Sequence, residues 1–199
     1  MSADVEQVDG GRRHFLVVAT TVTGLAGAAM TAVPFLASWK PSARAQALGA
    51  PIEVDIGKLE LGQMVKVEWR GQAIYIVRRT PEMLKNVENH DTRLRDPEST
   101  ESEQPDYAKN PTRSIKPEYL VVVGVCTHLG CAPMDRFQAS DPELGADWPG
   151  GFYCPCHGSR FDLAGRVFKD VPAPLNLRVP PYHFLADTRL LIGADTGAA

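Results

Sequence analysis

Two short segments hold all four cysteines of the chain and two of its five histidines: Cys126-Thr127-His128-Leu129-Gly130-Cys131 and Cys154-Pro155-Cys156-His157-Gly158-Ser159. Each brings two cysteines and a histidine together within six residues. Thiolates and neutral imidazoles are the ligands that soft and borderline metals prefer. Structural disulfides also suit an exported domain, and four cysteines allow three pairings, but a disulfide needs no histidine beside each cysteine pair. Structural zinc would take two Cys and two His. It would leave Cys131 and Cys156 without a role. His14, His90 and His183 stand alone and read as surface or packing residues.

These segments need a scaffold to face them toward each other, and the sequence upstream reads as antiparallel β structure. Ile52–Ile56, Met64–Trp69 and Gln72–Val77 alternate with period two, the last pair separated by Arg70-Gly71. Thr80 before Pro81-Glu82 predicts an N-cap, with Met83, Leu84 and Val87 as the apolar face of a short helix to about His90. Asp91–Lys116 is polar and acidic, which predicts a solvated surface excursion. Tyr119–Val125 is an apolar run, a buried strand that delivers the chain to Cys126.

The N-terminal part is of another kind. Phe15 to Ser38 contains no charged residue and no histidine, and as a helix it would extend roughly 36 Å, enough for a hydrocarbon core of about 30 Å. Trp39 and Lys40 close it, so residues 15–39 read as a transmembrane helix rather than a cleaved secretory signal. Just before it, Arg12-Arg13-His14-Phe15-Leu16 is similar to a twin-arginine export signal, with Gly11 where Ser or Thr is commoner. Residues 1–14 then stay in the cytoplasm and the bulk is exported already folded, as a cofactor inserted in the cytoplasm requires. Residues 40–51, small and polar with Pro41 and Pro51 near the ends, read as a flexible linker.

Composition limits the partners. A formal charge of −3 and no run of five basic residues exclude nucleic acid. With 44% hydrophobic and 23% charged residues the chain is neither low-complexity nor disordered, and one compact domain with an appendage fits.

The pattern C-x-H-x-x-C followed by C-x-C-H resembles the Rieske iron-sulfur proteins, in which two His replace two Cys on one iron of a 2Fe-2S cluster. Tyr119 to Pro174, with Gly158-Ser159-Arg160-Phe161-Asp162, Ala164-Gly165-Arg166 and Pro172-Ala173-Pro174, is similar to the iron-sulfur subunit of bacterial quinol:cytochrome c oxidoreductases. The anchor, the linker and the stretches Arg95-Asp96-Pro97 and Ile115-Lys116-Pro117-Glu118-Tyr119 agree. The resemblance implies a mainly β fold: an antiparallel Rieske-type β-sandwich head over residues 52–199, with a small cluster-binding subdomain at about 123–175, on a single N-terminal transmembrane helix. It implies one 2Fe-2S cluster, with Cys126 and Cys154 on one iron, His128 and His157 on the other, and a Cys131–Cys156 disulfide joining the two loops. Leu129 and Pro172-Ala173-Pro174 would cover the cluster, and the Ser159 hydroxyl would donate to a bridging sulfide. Phe161 stands where high-potential relatives usually carry Tyr.

The function so implied is electron transfer. Quinol, by the resemblance ubiquinol, would be oxidised with proton uptake at a cluster-ligating histidine, His157 making the contact, and one electron would pass to a c-type cytochrome. The implied partners are a cytochrome b subunit and a c-type cytochrome subunit in a dimeric complex of the bacterial inner membrane, the head lying in the periplasm. Two other readings stand beside this one: the Rieske small subunit of a periplasmic molybdenum oxidase such as arsenite oxidase, and a non-redox zinc-binding module.

Overall fold

The first segment, Gly10–Ser38, is one continuous helix, α1, in a computed structural model that describes residues 9–88 and 91–195. It starts at Gly10 rather than Phe15 because the Asp9 carboxylate accepts from the backbone N–H groups of Gly11 and Arg12. None of its residues is buried, and it is long and apolar enough to cross a membrane. Its threonines suit an apolar surrounding: the hydroxyls of Thr20, Thr21, Thr23 and Thr31 donate to carbonyls one turn back at 2.7–2.8 Å. These four hydroxyls then need no water.

The segment expected as a flexible linker contains a short helix. Ala43–Gly49 is a helix, α2, capped by Ser42, whose hydroxyl accepts from Ala45 N at 3.1 Å. Its residues, Ala-Arg-Ala-Gln-Ala-Leu-Gly, are helix formers up to the closing Gly49. Seven residues are too few for a helix that is stable in water without packing, and none of them is buried.

Among the described residues, the head has three antiparallel sheets of three strands each. β1 (Ile52–Asp55), β8 (Tyr182–Ala186) and β9 (Arg189–Ile192) form the first, in the order β1-β9-β8; β2 (Met64–Trp69), β3 (Gln72–Arg78) and β4 (Tyr119–Val123) form the second. β5 (Met134–Arg136), β6 (Gly151–Tyr153) and β7 (Arg160–Phe161) form the third. The β2–β3 hairpin pairs Trp69 with Gln72 across the two-residue turn Arg70-Gly71, with φ of 53° and 71°. Both turn residues are left-handed, as a tight hairpin requires, and the Arg70 guanidinium lies over the Trp69 ring.

The alternation expected of Gln72–Val77 does not carry through to burial. Ile74, Tyr75, Ile76 and Val77 are all buried, because β3 is the middle strand and both its faces are covered. All five residues of β4 are buried against it, each apolar side chain stabilising by about 1.5–3 kcal/mol. Thr80 caps α3 (Pro81–Glu88) through Met83 N at 3.1 Å. The expected end near His90 lies outside the described residues.

Asp91–Lys116 is not a solvated excursion. Leu94, Asp96, Ser99, Ser102, Ala108, Arg113 and Ser114 are buried against the head. The polar residues can go inside because they satisfy one another and the backbone: the Asp96 carboxylate accepts from Thr100 N at 2.7 Å, Glu101 N at 3.2 Å and Ser102 Oγ at 2.7 Å. Burial opposes ionisation of Asp96, but these donors outweigh it and hold its pKa below the ordinary aspartate value. Its contribution to stability is therefore complete above about pH 4 and is lost as pH falls through the lower folded-state value. Asp96→Asn should lower stability at pH 7 and lose less between pH 7 and pH 3 than the parent, read by denaturant melts. Equal acid sensitivity of the two proteins would remove Asp96 from that role.

Candidate metal centre

The two cysteine-histidine segments are loops of the same construction. In the first, Cys126 N donates to Cys131 O at 2.8 Å and Gly130 N to Cys126 O at 2.9 Å; in the second, Cys154 N donates to Ser159 O at 2.8 Å and Gly158 N to Cys154 O at 3.0 Å. Gly130 and Gly158 take φ of 84° and 75°, which lets each six-residue loop close on itself. A glycine four residues after the first cysteine of each segment is the sequence signal of this closure.

The loops face each other. Cys131 and Cys156 form a disulfide, so the pairing expected from the resemblance is present. The rings of His128 and His157 stand edge to face with centroids 4.7 Å apart. Cys126 and Cys154 are free and buried. The sulfurs of Cys131, Cys154 and Cys156 lie within 4.8 Å of one another, but the two that form the disulfide have no thiolate to offer a metal. Burial pushes the Cys126 thiol pKa up, opposed by the His128 backbone N–H and by Ser159. His128 Nδ1 is buried with no hydrogen-bond partner. A buried imidazole nitrogen left without a partner is costly unless it binds something. Two free thiols and this nitrogen are the donors that a mixed Cys/His iron-sulfur centre takes.

A third segment closes over the pair. Ala173, fully buried between Pro172 and Pro174, donates its N–H to Ser159 Oγ at 3.0 Å, and Thr127 Oγ1 donates to Leu175 O at 2.6 Å. Leu129 is 72% exposed at the tip of the first loop, and His157 is also exposed. Phe161 is fully buried in the same apolar cluster as Cys126, Cys154 and Ala173.

Residues outside the two segments hold these loops in place; Tyr75, Arg79, Arg113 and Asn176 among them had no signal of their own in the sequence. Tyr75, on β3, donates its hydroxyl to Pro133 O at 3.0 Å, just beyond the first loop. Its ring occupies the space above Gly124, where a Cβ would come within 2.3 Å of it, so only glycine fits there. Asn176 is buried, accepting from Val167 N at 2.8 Å and donating to Asp96 O at 2.9 Å. Behind the second loop, Asp162 and Arg166 form a buried ion pair at 2.8 Å. Arg79 Nη1 donates to Leu163 O at 3.0 Å and Arg113 Nη1 to Ala164 O at 3.1 Å. Three buried guanidiniums thus grip residues 162–166.

Comparison with known proteins agrees with this geometry. Residues 53–182 match the family model for the Rieske 2Fe-2S domain, and residues 2–42 match one described as "Ubiquitinol-cytochrome C reductase Fe-S subunit TAT signal". The chain is 58% identical over 188 residues to the ubiquinol-cytochrome c reductase iron-sulfur subunit of Allochromatium vinosum, covering 94% of this chain and 91% of that one. It is 44% identical over 193 residues to the subunit of the same name from Blastochloris viridis, covering 96% and 98%. The chain belongs to the Rieske 2Fe-2S family and, within it, to the iron-sulfur subunits of ubiquinol-cytochrome c reductase.

Proposed function

We propose that this chain takes an electron and a proton from quinol and delivers the electron to a c-type cytochrome, through a 2Fe-2S cluster held by Cys126, His128, Cys154 and His157. The observation that carries this reading is the buried, unpartnered His128 Nδ1 beside the His157 ring and two buried free thiols. When bound, the cluster supplies a one-electron acceptor whose potential is raised because two neutral imidazoles replace two thiolates.

The chain's own groups do the rest. His157, the exposed imidazole, presents its outer ring nitrogen to the quinol hydroxyl and accepts its proton. Leu129 and Pro172-Ala173-Pro174 keep water from the centre, and Ser159 supplies a hydroxyl to it. The partners are the cytochrome b and c-type cytochrome subunits of a dimeric complex. The twin-arginine match and α1 support an inner-membrane anchor over residues 15–39, with residues 1–14 cytoplasmic and the head, 52–199, periplasmic. Purification from membranes tests this reading. Iron together with b- and c-type haem, and cytochrome reduction on adding quinol, are expected; molybdenum or zinc in their place would overturn it.

Phe161 sets the potential in this reading. It lacks the hydroxyl that a tyrosine would aim at the Cys126 sulfur, so Phe161→Tyr should stabilise the reduced centre. Hydrogen bonds to charged acceptors contribute about 1.5–3 kcal/mol, and a difference of about 1 kcal/mol between redox states corresponds to roughly 40–45 mV for one electron. A rise of tens of millivolts is expected in a titration followed by circular dichroism. No change, or a fall, would show that the new hydroxyl does not reach the sulfur.

Residues 40–51 act as the hinge on which the head moves between quinol and cytochrome. α2 supports this, since an unpacked seven-residue helix melts and re-forms readily. Its far end is fixed on the head, where Trp69 Nε1 donates to Ala50 O at 3.1 Å. Replacing Ala43–Ala47 with a stiff proline-rich stretch should leave cluster content intact and slow turnover at least tenfold. Full turnover in a variant shown to be rigid would mean that the head works from one position.

A further inference from the structure

Beside His157 lies an open cavity of about 550 Å³ with a distinctive wall. Its floor includes the buried rings of Trp148 and Phe168, and three cations line it: Arg93, Arg160 and Lys169. The chain carries a formal charge of −3, so this concentration of positive charge is local and not a reflection of composition. None of the three forms an ion pair among the described residues. Asp170, the acidic residue in the lining, forms none either.

The cations are positioned without being neutralised. Arg93 Nη1 donates to Asp147 O at 3.0 Å while its guanidinium lies over the Phe168 ring, 5.4 Å from the centroid. Lys169 Nζ donates to Thr92 O at 2.8 Å. A carbonyl fixes the side chain but leaves its charge and its remaining N–H donors available. The Arg160 side chain has no hydrogen-bond or ion-pair partner among the described residues, so its planar fork is open; the residue is held by its backbone, whose carbonyl accepts from Phe168 N at 3.1 Å. Two guanidiniums and an ammonium lining one cavity supply the charge and the donors that a carboxylate or phosphate uses, since such an anion takes several charge-assisted hydrogen bonds at once.

We propose that this cavity binds a small soluble oxyanion, and that its occupancy lowers the midpoint potential of the centre. The second half rests on His157 being a cluster ligand, as proposed above. A negative charge held against that ligand repels the incoming electron, and it cancels the positive field that otherwise favours reduction. The cavity would thereby make the potential responsive to the anions around the head.

Inorganic phosphate is the probe. Calorimetric titration of the full-length, cluster-loaded protein in detergent should show saturable binding, weakened at least tenfold in an Arg160→Gln/Lys169→Gln variant. A redox titration over the same phosphate range should show a saturable fall in midpoint that sodium chloride at matched ionic strength does not reproduce, and that the variant lacks. Absent binding, or equal binding by parent and variant, overturns the site. Binding with no midpoint shift, or a shift that chloride matches, overturns the redox coupling. Phosphate binding that persists in a preparation shown by metal analysis to hold zinc would sink the cluster reading and leave the anion site standing.

Discussion

Asp162→Ala is expected to destabilise the head by about 3–5 kcal/mol, the range found when one partner of a buried ion pair is removed. Asp162 is 1% exposed, and Arg79, Arg113 and Arg166 around it are no more exposed than that. Burial pulls Arg79 and Arg113 down to about 10, which still leaves both charged at neutral pH, and in each case the Asp162 charge works against that burial. One Asp162 oxygen accepts from Ala164 N at 2.9 Å and Arg166 N at 2.7 Å; the other accepts from Arg166 Nε at 2.8 Å. Alanine removes every one of these bonds and leaves buried cations facing each other. Asp162→Asn keeps the acceptor for the backbone N–H groups and should fall between parent and alanine. Denaturant melts of the full-length protein measure this, and a loss below about 1 kcal/mol for the alanine variant would show that the guanidiniums do not depend on Asp162.

His157→Ala should abolish the cluster altogether, whereas His183→Ala should leave it at full occupancy. If His157 is one of four ligands, as proposed, its removal opens an iron to water and takes away the group proposed to face the quinol. His183 sits on β8, its Nδ1 3.1 Å from Ala194 O, and is a packing residue. Iron and acid-labile sulfide per chain are the readout. A His157→Ala protein with a full complement of both would remove that residue from the ligand set, and loss in His183→Ala would show that simple destabilisation mimics ligand loss.

Much of this arrangement was legible in the sequence. Period-two alternation located β1 to β3, an unbroken apolar run located β4, and Thr80 announced the cap of α3. The two cysteine-histidine segments located the centre, although the Cys131–Cys156 pairing followed from family resemblance, since four cysteines permit three pairings. What escaped notice has physical causes. β5, β6 and β7 are two or three residues long, too short for any periodicity to register. α2 was hidden because Pro41 and Pro51 signal a linker, while the Ala-rich stretch between them carries helix propensity that composition alone does not weigh.

The acidic stretch 91–116 misled for a different reason. Polarity predicts exposure only while polar groups have no partners, and here Asp96, Ser99, Ser102 and Asn176 satisfy one another inside the head. The buried arginines belong to the same class. Arg79 and Arg113 are ordinary surface residues by type, and their burial depends on carbonyls far away in sequence, those of Leu163 and Ala164. No local pattern encodes such partners.

The ligand set is tested most directly by pulsed electron paramagnetic resonance of the reduced full-length protein grown with ¹⁵N-labelled histidine. Couplings from two histidine nitrogens are expected, assigned to His128 and His157 and unaltered in a His183→Ala variant. A spectrum with one histidine coupling, or with none, would contradict the two-cysteine, two-histidine centre.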